Sequence, residues 1–211
     1  MKKLADFLYA IMAGAFIAMG GVVFLSLNNK IVGAFMFSLG LFAVCTLKYN
    51  LFTGKVGYLF CNDVKTYLPW CLMVWVGNLV GSIIVAELVR LTRVAPGIIE
   101  KSTKLVQVKA DDTLISLFVL GIFCNIMVVH AVDQYLNNPH EIGKYLGIIM
   151  SIMVFILCGF EHCIADMFYI QMARMWNSQT IIALIVITLG NVLGGILIPT
   201  MRNINTKLKS E

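Results

Sequence analysis

The sequence predicts an all-α membrane protein: six transmembrane helices in two inverted three-helix repeats, with the second and fifth helices broken. Three observations carry this expectation: an apolar composition, six hydrophobic runs of membrane-spanning length, and a motif that recurs in the second half. Of 211 residues, 60% are hydrophobic and 13% charged, with a mean hydropathy of +0.89. A water-soluble globule of this size needs more polar surface, so the lipid bilayer is the expected solvent.

The runs lie near residues 7 to 28, 31 to 60, 67 to 89, 113 to 135, 145 to 173 and 180 to 201. Each reaches the roughly 20 residues that cross a hydrocarbon core of about 30 Å. The first follows Lys2 and Lys3, exceeds a signal peptide's apolar core and shows no small-x-small cleavage site near Ser26. It is therefore expected to be retained as a span. Connections are short apart from Leu91 to Asp112, so a single transmembrane domain is expected over 1–211. Lys and Arg divide almost evenly between the two sides, and the positive-inside rule barely decides. The basic ends, Lys2 with Lys3 and Lys207 with Lys209, place both termini in the cytoplasm.

The cysteines, Cys45, Cys61, Cys71, Cys124, Cys158 and Cys163, fall in or beside apolar runs without CxxC or zinc spacing. They read as small buried residues. The three histidines, His130, His140 and His162, are too scattered for converging chemistry. No enzyme activity, cofactor, metal or nucleic-acid partner is expected.

Gly77 to Ile83 reads GNLVGSI and Gly190 to Ile196 reads GNVLGGI, sharing G-N-x-x-G at an offset of 113. That offset sets Phe42 against Phe155 and Thr53 against Asp166. It divides the chain into repeats over 1–100 and 101–211. Three spans separate the copies, so the halves insert with opposite orientation, a design whose binding region lies near the midplane. The glycines themselves are assigned to close helix packing.

The second and fifth runs exceed one straight span and carry polar residues midway, at Thr46–Lys55 and Gly159–Asp166. Both read as interrupted helices, tolerable at membrane depth only in protein or beside a wet cavity. Each break exposes a half-helix N-terminus whose free amides suit an anion. Glu161 and Asp166 are read first as capping or ion-paired residues, with Lys48 or another basic group as partner. His162 is read as functional, because an imidazole exchanges protons near neutral pH and ionisable groups in a span are costly.

LFTG at Leu51–Gly54, GFEH at Gly159–His162 and the G-N-x-x-G pair together resemble the formate/nitrite transporter family, which includes hydrosulfide channels. The resemblance covers nearly the whole chain. It implies an aquaporin-like homopentamer, with a pore for a small monovalent anion in each protomer. Carried over by position, Leu51, Phe52 and Thr53 resemble the loop of the broken second span, and His162 the central histidine. Phe37, Leu41, Phe155, Asn125 and Val128 match the two hydrophobic slits, and Lys109 the outer-vestibule lysine.

Phe37 with Leu41, Asn125 with Val128, and Phe155 with His162 share helix faces by spacing, which ordinary core packing also produces. Asn50 stands where many members have an acid, and Lys48 and Lys55 flank the loop. No N-terminal gating helix is expected.

The resemblance implies passage of formate, nitrite or hydrosulfide, with the anion and protons as partners and protonation at His162 assisting. The alternative is a substrate-binding membrane subunit of a larger transporter. A stable homopentamer supports the first, and co-purification with ATPase subunits the second.

Overall fold

The computed structural model describes residues 2–210, so Met1 and Glu211, the ends of the expected domain, lie outside the described residues. Within them the fold is entirely helical: α1 Lys2–Ser26, α2 Lys30–Thr46, α3 Phe52–Val56, α4 Val64–Arg90, α5 Ala95–Asp111, α6 Leu114–Asn137, α7 Glu141–Cys158, α8 Cys163–Ala173 and α9 Ser178–Ser210. A 3-10 turn covers Leu59–Cys61. Five helices, α1, α4, α6, α7 and α9, are long and apolar enough to cross a membrane, while α2 and α8 are shorter apolar helices. The molecule is an all-helical membrane protein.

Leu91 to Asp112, expected only as a connection, holds α5. Pro96 starts it without losing a bonded amide. Its buried residues, Ala95, Ile98, Ser102, Val106 and Lys109, recur every three or four positions and so lie on one face. That face packs mainly on α8.

The two motif glycine pairs let helices approach to backbone contact. A Cβ at Gly81 would run into the carbonyl of Ile11, and one at Gly194 into that of Ile122. The α1–α4 contact is thus repeated in α6–α9, with partners 111 residues apart. This corrects the expected offset of 113: the motif copies are 113 apart, but the helices and loops they hold are 111 apart. Thr53 therefore aligns with Ile164 rather than Asp166, and Leu51 with His162.

Both non-helical loops have a defined start. After α2, Lys48 adopts a left-handed φ of 58°. After α7, Gly159 caps the helix at φ 71°, a conformation favouring glycine. The chain then resumes at α3 and α8, whose N-cap residues are Leu51 and His162, both in extended backbone.

Candidate pore and its central histidine

Two asparagines hold the loops. Asn78, fully buried on α4, accepts from the Phe52 amide at 2.8 Å and donates to the Ala10 and Asn50 carbonyls at 2.7 and 2.9 Å. Asn191 on α9 repeats the pattern, accepting from the Cys163 amide at 2.9 Å and donating to Gly121 and Glu161 carbonyls at 2.8 and 2.9 Å. Each side chain meets three backbone groups that apolar surroundings would otherwise strand. Sequence reading took G-N-x-x-G for its glycines and passed over its asparagine. A buried amide midway along an apolar helix, present in both copies, was the available signal.

These bonds narrow the expectation of free amides at the two half-helix N-termini. The first amides of α3 and α8 are taken by Asn78 and Asn191, and the Ala165 amide by His162.

The first turn of α3 meets the N-cap of α8 at Thr53 and His162. The Thr53 hydroxyl lies 3.0 Å from His162 Nε2, with both residues buried. His162 Nδ1 accepts the Ala165 amide at 3.2 Å. Since that amide can only donate, Nδ1 holds the lone pair, and the neutral ring carries its proton on Nε2, facing Thr53. The Phe155 ring stacks on the imidazole at 5.8 Å, and Phe37 meets Phe155 edge-on at 5.9 Å.

A cavity of about 450 Å³ opens on one side, lined by Lys48, Tyr49, Leu51, Lys55, Tyr58, Tyr67 and Tyr135 among others. On the other side a cavity of about 190 Å³ is lined by Lys109, Phe155, Glu161, His162, Asp166 and Tyr169 with further apolar groups. Between them Ile17, Phe37, Leu41, Leu51, Val128, Ile152, Phe155 and His162 close together, leaving no room for water. Leu51 belongs to the constriction and the first cavity, His162 and Phe155 to the constriction and the second.

Seven of the expected residues therefore meet along one line: Phe37, Leu41, Leu51, Val128, Phe155, His162 and, through its bond to His162, Thr53. Phe52 is buried beside them, its amide on Asn78. Asn125 does not line these cavities; its Nδ2 donates to the Asn191 carbonyl at 2.5 Å, and its Oδ1 is unpartnered.

Lys109 stands in the wall of the smaller cavity, buried and ion-paired with Glu161, and 3.3 Å from Asp166. Lys48 and Lys55 line the opposite cavity and take no part in that pairing. Beyond the smaller cavity Lys30, Lys101 and Lys104 line a wider funnel. Lys30 and Lys101 are anchored on backbone carbonyls, which carry no formal charge.

An apolar helical bundle whose two cavities meet only at a dry constriction is the architecture of a membrane channel or transporter. Residues 1–204 match the sequence profile of the formate/nitrite transporter family, and the chain belongs to that family. It is 32% identical over 193 residues to the formate channel FocA of Haemophilus influenzae, covering 81% of this chain and 67% of that protein. It is 31% identical over 209 residues to the uncharacterized transporter YrhG of Bacillus subtilis, covering 87% and 78%. A solved pentameric formate channel with formate bound superposes with a TM-score of 0.82 at 25% identity, covering 98% of both chains. Proteins so named are channels and transporters rather than enzymes.

Proposed function

We propose that this chain carries small monovalent anions of the formate, nitrite and hydrosulfide class across the cell membrane, with protonation at His162 assisting passage. The observation that supports this most is the dry constriction with the Thr53–His162 hydrogen bond at its centre.

Moving a bare anion through apolar side chains is expensive, and neutralising it removes most of that cost. In this reading Lys30 and Lys101 draw anions to the funnel, and Lys48 and Lys55 do so on the other side. Phe37, Leu41, Val128 and Phe155 strip water from the solute. His162, donating from Nε2, turns the Thr53 hydroxyl so that its own proton faces the pathway. Lys109 belongs to the vestibule wall, and Phe52 and Asn125 support the loops that set the pore width.

The finer architecture belongs to the same proposal. α2 with α3, and α7 with α8, are read as the broken second and fifth of six spans, in two inverted repeats over 1–100 and 101–211. The equivalent bonds of Asn78 and Asn191 support that duplication. The fold is aquaporin-like, the assembly a homopentamer with one pore per protomer, and both termini are cytoplasmic. The likeness to a pentameric formate channel supports the assembly.

The test is flux into proteoliposomes at two pH values. His162→Asn is expected to lower formate, nitrite and hydrosulfide flux and flatten its pH dependence; unchanged fluxes and pH dependence would remove the histidine from the mechanism.

A further inference from the structure

Counting charge around Lys109 leaves a remainder that the proposed function does not use. Lys109 brings one positive charge, and Glu161 and Asp166 bring two carboxyls. Among the described residues no other Lys or Arg makes an ion pair with either acid. Fully ionised, the cluster carries a net negative charge in the wall of the cavity that leads to His162. Such a charge repels an arriving anion.

Asp166 is 1% exposed, and its Oδ2 has no hydrogen-bond partner. Its Oδ1 lies 3.3 Å from Lys109 Nζ, while Glu161 holds the closer contact with that lysine. A carboxylate oxygen buried without a donor is a costly arrangement, and a proton on it removes the surplus charge and leaves only the smaller cost of a neutral polar group. The other titratable groups facing Asp166 are Cys124 from α6 and Cys163 and Tyr169 from α8. These thiols and the phenol are ordinarily uncharged near neutral pH. α9 faces the cluster with Thr180 and apolar groups.

We propose that Asp166 holds an exchangeable proton on Oδ2 and passes it to the anion in the vestibule, before the solute enters the constriction. The inference rests on the anion-passage reading, but not on the histidine giving up a proton. His162 in its observed tautomer has one N–H, committed to Thr53, and its other nitrogen holds the Ala165 amide. In the step, the Asp166 O–H bond breaks and a bond to hydrogen forms on the anion. The negative charge passes from solute to cluster, where Lys109 offsets it in part, and hydronium from the cavity's water restores the proton and returns the cluster to neutrality. The neutral acid then crosses past Thr53 and His162.

Infrared difference spectra of the purified protein in detergent, taken between two pH values, read this proton directly. Wild type is expected to show the carbonyl band of a titrating, buried carboxylic acid, lost in Asp166→Asn and kept in His162→Asn. Asp166→Glu moves the band without removing it, and decides the assignment should Asp166→Asn not accumulate. In proteoliposomes with formate as probe and an entrapped pH dye, Asp166→Asn is expected to cut formate-driven proton uptake by about a hundredfold, the lower end of what a positioned proton donor contributes. Asp166→Glu restores it.

A band unchanged in Asp166→Asn, no band in wild type, or wild-type proton uptake in Asp166→Asn overturns the proposal. If wild type passes no formate, the anion-passage reading fails, and the infrared band still decides whether Asp166 holds the proton.

Discussion

Thr53 Oγ1 lies 3.0 Å from His162 Nε2, and this hydrogen bond joins the first turn of α3 to the N-cap of α8. Asn78 holds the first loop through Phe52 and Asn50, and Asn191 holds the second through Cys163 and Glu161. The His162 ring is held by a second buried bond, from the Ala165 amide to Nδ1. The geometry fixes which imidazole nitrogen faces the pathway.

Thr53→Val keeps the shape of the side chain and removes the acceptor. His162 Nε2–H is then stranded in an apolar constriction, at a cost of about 1–3 kcal/mol. If that cost falls on the passage barrier, formate flux in proteoliposomes drops about 5- to 150-fold. Thr53→Ser retains the hydroxyl and is expected to stay near wild type.

Asn191→Ala removes three hydrogen bonds to loop and helix backbone. At the average of about 0.6 kcal/mol found for side-chain bonds between membrane helices, the loss is about 2 kcal/mol, and stranding the Cys163 amide adds to it. Thermal unfolding in detergent is expected to show the drop. Asn191→Asp keeps the acceptor for Cys163 but sets a carboxylate against the Gly121 and Glu161 carbonyls, and is expected to be no better than alanine.

Lys109→Met leaves the Glu161 and Asp166 carboxyls buried without their cation. Breaking a buried pair in this way costs about 3–5 kcal/mol. Adding Glu161→Gln and Asp166→Asn to the same protein removes the uncompensated charge, and the triple variant is expected to recover most of the lost thermal stability. Recovery in the triple variant separates an electrostatic role for Lys109 from simple loss of its packed stem.

Much of this was legible in the sequence because a bilayer makes strict demands. Long apolar runs, polar breaks inside two of them and a duplicated motif point to helices, loops and their pairing. The duplication itself was measured from its most visible copy, G-N-x-x-G. The spacing from motif to loop differs by two residues between the halves, so Thr53 was set against Asp166 when Leu51 against His162 is the structural match.

What sequence spacing could not supply were contacts between distant elements. Lys109 sits on α5, a segment too polar to register as an apolar run, and its pairing with Glu161 and Asp166 depends on how α5 docks on α8. Asn125 shares a helix face with Val128, yet turns to α9 while Val128 enters the constriction. Periodicity assigns a face, and the neighbouring helix decides what that face meets.

The central claim is that the solute crosses the protein at the constriction between Leu51 and His162. Formate uptake into proteoliposomes, compared for wild type, Val128→Trp and empty vesicles, tests it most directly. Val128 is 1% exposed in the constriction wall, so an indole there fills the gap. Wild type is expected to take up formate well above empty vesicles, and correctly assembled Val128→Trp to fall to their level. Wild-type uptake no faster than empty vesicles, or undiminished uptake by Val128→Trp, would contradict the account.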